Sequence, residues 1–270
     1  MYIKYINLSI GNNVGGETYR LIFEFHVRYI CNFFSKEVRK FKILNGLEYD
    51  CINIVLDSET YCRYSKTGTP GGNVEIGLPF SKERYERTKS SNDDTYYMEL
   101  LEQSFKKFCF FTNVDYSVFQ KILDKFNKAN RKNEWLFKTI KSAALNIKAQ
   151  FICKFSTDSF QVEAIFYDLQ TSSLLCKGMC IRTMPDEIFF TGIFKTVVIN
   201  ETHIIILDYN DNPLILFPVK QIKNRIFHFD YACSPYPDDE QATITYNKII
   251  KELQYDGNIE KSLEESEEHF

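Results

Sequence analysis

Residues 150–183 read QFICKFSTDSFQVEAIFYDLQTSSLLCKGMCIRT, and this stretch decides the fold class. Apolar and polar side chains alternate along it, which is the period of a β-strand with one buried face. Turn-forming residues at 157–159 and 171–173 interrupt the alternation. Because no helical segment separates the strands, we predict an antiparallel meander.

The same alternation continues toward the C-terminus. Four more strands are predicted, in the segments GIFKTVVI, THIIILDY, PLILFPV and RIFHFDY. After SPYPDDE we expect a closing helix with Ile249, Ile250 and Leu253 as its buried stripe. The end of the chain, NIEKSLEESEEHF, is expected to be loosely ordered.

The N-terminal part also shows a period of two. In ETYRLIFEFHVRYICNFF (17–34) the odd-numbered positions are mostly apolar, which predicts a long strand. A short helix is expected over SKEVRKFKIL, and further strands over residues 49–57 and 61–65.

The middle of the chain changes to helical spacing. One helix is predicted after Asn92 or Asp93, and a second after Asp115, since these residues can cap a helix N-terminus. A third is predicted from about Asn133, with an apolar stripe formed by Leu136, Ile140, Ala143 and Ala144.

Together these patterns predict an α+β protein. It has an antiparallel β-rich N-terminal part, central helices, and an antiparallel β-meander second half with a closing helix. We place a boundary between residues 1–148 and 149–270, although the two halves could form one continuous domain.

The composition indicates which classes of partner are disfavoured and which cell compartment to expect. A net charge of −3 does not favour nucleic acid or an anionic membrane as the partner. The longest apolar runs, such as residues 204–207, are far shorter than the ~18 residues that a membrane span needs. The N-terminus lacks a signal-peptide pattern and most of the eight cysteines lie in apolar runs, so we expect free thiols and a cytoplasmic protein.

No motif in the chain specifies a reaction. The glycine-rich segments GNNVGG (11–16) and TGTPGG (67–72) lack the lysine and the Ser or Thr of a phosphate loop, so we expect turns between strands. Neither the four histidines nor the cysteines have the spacing of a metal site. We therefore predict no catalytic residues, no metal and no cofactor.

Two other functions stay open. Asp50, Asp57 and Glu59 lie close in sequence and could hold a metal ion for a hydrolase. Residues 121–148 carry eight basic and two acidic side chains, and these predicted basic helices could bind single-stranded nucleic acid or serve as a scaffold.

A chain with a core, surface charges and no reaction centre has the profile of a binding protein. In its DDTYYMELLEQSFKKFC helix (93–109), its aromatic-rich β second half and its acidic EESEEHF end, it resembles bacterial immunity proteins that neutralise a cognate polymorphic toxin. The resemblance implies a cytoplasmic protein whose partner is a toxin domain, and an acidic surface that covers a basic cleft. The candidate contact residues are Asp93, Asp94, Asp238, Asp239, Glu240, Glu264 and Glu265.

Overall fold

The computed structural model describes residues 2–43, 49–66, 71–91 and 93–267, with side chains described up to residue 263. The chain divides into two compact units, Met1–Asn133 and Glu134–Phe270. Both units combine helices with strands, which confirms the predicted α+β class. The division comes earlier than the boundary that we expected after residue 148, which lies inside a strand of the second unit.

The described residues of the first unit form four strands and four helices. In chain order they are β1 (Tyr5–Ile10), α1 (Glu17–Phe41), β2 (Cys51–Asp57), β3 (Tyr61–Ser65), β4 (Asn73–Pro79), α2 (Lys82–Ser91), α3 (Thr95–Thr112) and α4 (Ser117–Lys128). The strands predicted over residues 49–57 and 61–65 and the two helices predicted after Asp93 and Asp115 are confirmed.

The long strand predicted over residues 17–34 was wrong, because this stretch begins the 25-residue helix α1. A second pattern in the same residues explains the helix. Five side chains at most 1% exposed recur at helical spacing and form its buried stripe: Phe23, Val27, Ile30, Phe34 and Val38. The alternation of period two in the same residues does not reflect a strand.

The strands of the first unit form one sheet in the order β1-β2-β4-β3. The pairing differs from the antiparallel arrangement that we expected, because β1–β2 and β2–β4 run parallel and only β3–β4 is antiparallel. A helical crossover is the ordinary connection between parallel neighbours, and α1 supplies it between β1 and β2. Helices α1 and α3 pack on the sheet, whose central side chains Ile54 and Ile76 are fully buried.

The edge strand β1 is closed by a side chain of α1. The Ser35 hydroxyl accepts a hydrogen bond from the Ile6 amide at 2.9 Å and donates one to the Ile6 carbonyl at 3.3 Å. Ser35 is buried, so these backbone groups have exchanged water for one hydroxyl. The contact fixes α1 against the sheet edge.

A buried carboxylate joins α1 to α4. Glu37 accepts hydrogen bonds from Lys125 of α4 and from Lys40, both at 2.6 Å. Burial acts to raise the pKa of the Glu37 carboxyl, but the bonds from Lys125 and Lys40 outweigh it and hold that pKa below its usual value. The ionised form is therefore the one that the fold stabilises.

In the described part of the second unit there are eight strands, three α-helices and a 3-10 helix (Glu187–Phe189). The strands and α-helices are β5 (Asn133–Ser142), β6 (Ile147–Phe155), β7 (Phe160–Asp168), β8 (Leu174–Thr183), β9 (Thr196–Ile199), β10 (His203–Leu207), β11 (Pro213–Pro218), α5 (Val219–Lys223), β12 (Asp230–Tyr231), α6 (Glu240–Glu252) and α7 (Ile259–Glu267). The seven predicted strands and the closing helix α6 are confirmed, although β12 has two residues and β5 was not expected.

These strands form two antiparallel sheets, β5-β6-β7-β8 and β12-β11-β10-β9, which confirms the meander. Phe151 and Phe166 of the first sheet contact Phe217 of the second, with ring centroids 5.9 and 5.2 Å apart. The two sheets therefore share one aromatic core.

Two expectations for the second unit were wrong. The helix predicted from Asn133 is strand β5, along which Glu134, Leu136 and Lys138 point outward in alternation. The C-terminal stretch expected to be loose contains α7, in which Ile259 is buried. Of the stripe expected for α6, Leu253 is buried and Ile249 and Ile250 are half-buried. Among the described residues, no helix has the length and apolar character needed to cross a membrane.

We predict that Ser35→Ala destabilises the protein by about 1–3 kcal/mol, because it leaves the buried Ile6 amide and carbonyl without a partner. Ser90→Ala is the matched control, since the Ser90 hydroxyl donates to a carbonyl at an exposed site. Chemical denaturation measures both. Equal free energies of unfolding for the two variants would contradict the role given to Ser35.

We further predict that Glu37→Gln removes part of the acid sensitivity of the fold. Because the folded-state pKa of Glu37 is lowered, its stabilising effect is present above the unfolded pKa of about 4.3 and is lost as the pH falls through the folded value. The difference in unfolding free energy between wild type and variant should shrink from about pH 6 to about pH 3. Glu83→Gln, in an exposed pair with Arg87, should show almost no such change.

Candidate partner-binding surface

The first two candidate residues lie at the start of α3 and serve the fold. Asp93 accepts hydrogen bonds from the amide and hydroxyl of Thr95, at 3.0 and 2.6 Å. Asp94 accepts from Arg131 at 2.5 Å and from the Tyr29 hydroxyl at 3.2 Å. The Asp94 side chain is only 15% exposed. Asp94 therefore joins α1, α3 and the segment after α4, and is not presented to a partner.

The carboxylates of Asp238, Asp239 and Glu240 are exposed at the start of α6. Asp239 is the N-cap and accepts a hydrogen bond from the Ala242 amide at 2.9 Å. Asp238 and Glu240 take part in no ion pair with any residue that the structure describes. These two carboxylates are available to a partner, whereas Asp239 also holds the helix end.

Two exposed tyrosines lie on the segments that this end of the second unit brings together. Tyr209, in the β10–β11 turn, is 57% exposed, and Tyr236 is 38% exposed. The Asn212 side-chain amide donates to the Tyr236 hydroxyl at 3.0 Å, which joins that turn to the loop before α6. We call the surface formed by Tyr209, Asp211, Tyr236, Asp238, Asp239 and Glu240 the acidic–tyrosine surface.

Hydrogen bonds within the unit fix this surface. The Thr243 hydroxyl donates to the Tyr236 carbonyl at 2.6 Å, and the Tyr236 amide donates to Ser234 Oγ at 3.1 Å. Tyr246 of α6, almost fully buried, donates to the Pro213 carbonyl at 2.5 Å and so ties α6 to the start of β11. The loop and the turn therefore hold their positions before any partner arrives.

The surface keeps an excess of negative charge. Asp211 forms an ion pair with Lys195 at 2.8 Å, and both side chains stay largely exposed. The remaining three carboxylates have no basic partner of this kind among the described side chains. Lys220 and Lys223 lie in α5, directly after the opposite end of β11, so the sheet has an acidic end and a basic end.

Sequence reasoning found the three carboxylates but missed the tyrosines. Tyr209 immediately precedes Asn210-Asp211-Asn212-Pro213, residues of the kind that favour a turn. Nothing in the sequence shows that this turn meets residues 234–240. The last two candidates, Glu264 and Glu265, fall in α7, and their side chains lie outside the described part of the chain.

The carboxylates of the proposed hydrolase site do not come together. Asp50 immediately precedes β2 and Asp57 ends it, so they are roughly 20 Å apart. Asp50 is buried and pairs with Lys4 at 3.4 Å, while Asp57 accepts from the Ser58 amide. Glu59 is exposed beyond Asp57. Across the described residues, no three His, Cys, Asp or Glu side chains are grouped to hold a metal ion.

The basic segment 121–148 is not a pair of helices. Its lysines at 138 and 141 lie on β5, and two other bases are engaged: Lys125 with Glu37 and Arg131 with Asp94. What remains is spread over α4, the loop after it and strands β5 and β6, so the two basic helices that we expected for a nucleic-acid or scaffold protein do not both form.

The glycine-rich segment at residues 11–16 joins β1 to α1 and not to a strand as expected. A helix that follows such a loop can bind phosphate through its first amides. Here the Asp57 carboxylate lies 3.0 Å from the place of a Cβ on Gly11, and Glu17 occupies the first helical turn. Arg20 is hydrogen-bonded to Asn12. Carboxylates at this position disfavour a bound phosphate. In the other glycine-rich segment, residues 67–70 lie outside the described residues.

We predict that Asp94 and Arg131 are coupled for stability and that Asp238 is not needed for it. A double-mutant cycle of Asp94→Ala and Arg131→Ala should give an interaction energy of about 0.5–3 kcal/mol. Asp238→Ala, at an exposed site, should change the free energy of unfolding by less than about 0.5 kcal/mol. Denaturant titration measures the wild type, the two single variants, the double variant and Asp238→Ala. Additive effects at Asp94 and Arg131 would show that the pair does not support the fold.

No protein-family model, curated protein or solved structure matches this chain. The features that bear on function are those of the surface itself: exposed carboxylates, two tyrosines, and a hydrogen-bond network that holds them.

Proposed function

We propose that this chain is a non-catalytic protein-binding protein that occludes a basic partner, as an immunity protein covers its cognate toxin. The partner is a bacterial toxin domain, and the complex forms in the cytoplasm. The single observation that supports the proposal most is the acidic–tyrosine surface, because its groups are exposed, charged and fixed in place.

The chemistry of that surface suits a basic cleft. Toxins that act on nucleic acid present basic active sites to their substrate, and an acidic surface gains association rate and specificity against such a site. Tyr209 and Tyr236 provide the amphipathic rings that concentrate binding energy at protein interfaces. A ring can fill a pocket while its hydroxyl keeps a polar contact.

The acidic–tyrosine surface is already ordered in the free protein. Binding costs free energy whenever side chains and loops must be ordered. The hydrogen bonds at Asn212, Ser234 and Thr243 already order the loop that carries Tyr236. Asp239 is likewise held by its capping bond. A partner therefore meets a surface that needs little rearrangement.

The proposal predicts that Asp238→Lys combined with Glu240→Lys weakens binding to the toxin domain encoded beside this gene by at least about tenfold. The loss should lie mainly in the association rate and should diminish at high salt, because exposed charges are screened. Asp239 is left in place so that the α6 cap survives. Surface plasmon resonance measures the rates, and co-expression tests protection of the cell.

Glu201→Lys is the matched control, since Glu201 is an exposed acid in the β9–β10 turn, at the other end of the same sheet. It should keep the wild-type affinity. An unchanged affinity in the double variant would remove the acidic–tyrosine surface from the interface. Absence of any complex with the neighbouring toxin domain would overturn the proposed function.

A further inference from the structure

The two edges of the β5-β6-β7-β8 sheet differ in what covers them. At the β8 edge, the Arg182 amide donates to the Leu253 carbonyl at 2.9 Å, and the Tyr255 amide donates to the Arg182 carbonyl at 3.0 Å. The segment between α6 and α7 therefore occupies part of that edge. At the β5 edge, no backbone group of residues 136–141 is bonded outside the sheet, within the described part of the chain. An uncovered strand edge is a template for a further strand.

Strand β5 is long and is held in place from its inner side. It has 10 residues and contains neither proline nor glycine, the residues that interrupt strand pairing. The Trp135 ring contacts Phe160 with centroids 5.8 Å apart, and the Phe137 ring contacts Phe194 at 5.0 Å. These contacts leave the alternate side chains of β5 on the outer side of the sheet.

The outer side of β5 carries an acid, an apolar residue and a base in succession. Glu134, Leu136 and Lys138 are all exposed, Leu136 by 55%. Neither Glu134 nor Lys138 forms an ion pair with a side chain that the structure describes. A lysine in an edge strand ordinarily opposes pairing. Here the same face of the same strand also carries an acid that can compensate it.

A second copy of β5 supplies the complementary pattern. In an antiparallel pair related by a two-fold axis perpendicular to the sheet, residues that lie opposite each other share a face. With the axis at Leu136, Glu134 of each copy lies opposite Lys138 of the other, and the two leucines meet. On the inner face Trp135 lies opposite Phe137. Pairs of opposite charge and aromatic pairs both stabilise an antiparallel ladder.

The neighbouring registers do not have this complementarity. An axis at Lys138 brings two lysines together, and an axis at Glu134 brings two glutamates together, so like charges repel. An axis at Trp135 or at Phe137 places a charged side chain opposite Leu136. The charges of β5 are therefore complementary to β5 itself in one register, which is what an interface between identical chains requires.

We propose that two copies of this chain form a two-fold symmetric dimer by antiparallel pairing of β5, with the axis at Leu136. The pairing joins the four-stranded β5-β6-β7-β8 sheets of the two copies into one continuous sheet. No residue of the acidic–tyrosine surface lies on β5, and the dimer does not depend on the proposed toxin.

The test measures the dissociation of the full chain by sedimentation velocity over a dilution series, which should show a dimer that dissociates on dilution. Lys138→Glu should weaken the dimer at least about tenfold, because two acids then face each other at both symmetric positions. Glu134→Lys combined with Lys138→Glu exchanges the signs of the pair and should restore the dimer. Lys141→Glu is the matched control, since the position opposite this exposed lysine falls before the start of β5.

A disulfide tests the position of the axis. Leu136→Cys should cross-link the two copies on oxidation, because Cα atoms opposite each other lie about 4.5–5.5 Å apart, within the reach of a disulfide. Cys233 is exposed, so this variant and the control Lys141→Cys are made together with Cys233→Ser. Lys141→Cys should not cross-link.

Three results would each overturn the proposal. They are a monomer at every concentration, a double charge variant that dimerises no better than Lys138→Glu, and equal cross-linking of the two cysteine variants. Circular dichroism checks that each variant is folded. The acidic–tyrosine surface keeps its residues in all of these variants, so binding of the toxin domain is measured independently.

Discussion

The hydrogen bond from Asn212 to the Tyr236 hydroxyl is the contact on which the proposed function depends. It joins two segments that are separate in sequence, the β10–β11 turn and the loop before α6. Together with the bond from Tyr246 to the Pro213 carbonyl, it keeps Tyr209 and the carboxylates at 238–240 from lying on two independent loops. With it, they form one surface whose ordering cost is met during folding and not during binding.

The fold of the second unit could be predicted where one pattern acts alone. Strands β6 to β8 alternate strictly and are separated by turn residues, so period and punctuation agree. In α1 two patterns coexist, because Phe25, Tyr29 and Cys31 are buried beside the helical stripe and add apolar side chains at odd-numbered positions. The helix that was predicted in place of β5 has a different cause. Its outward-facing Leu136 fits a helical stripe with Ile140, while Trp135 and Phe137 are the half-buried side chains of a strand.

The candidate site was predictable in its charges but not in its geometry. The exposed carboxylates at 238–240 follow a proline and precede a helix, a local pattern that the sequence shows directly. By contrast, Asp93 and Asp94 look equivalent in sequence, yet Asp94 is withdrawn by Arg131 and Tyr29, which are distant in the chain. Asp50 likewise pairs with a residue distant in the chain, Lys4. Strand β2 separates Asp50 from Asp57, so the two carboxylates do not form one site. Because residues 17–34 were predicted to be a strand, the parallel crossover through α1 could not be predicted either.

A protein that acts by binding a partner is tested most directly by locating the residues that the partner contacts. Hydrogen exchange of the chain, free and bound to the toxin domain encoded beside it, maps that contact. The account predicts new protection at residues 208–212 and 234–240, with the core of the second unit unchanged. A stable complex in which those two segments exchange as fast as in the free protein would contradict it.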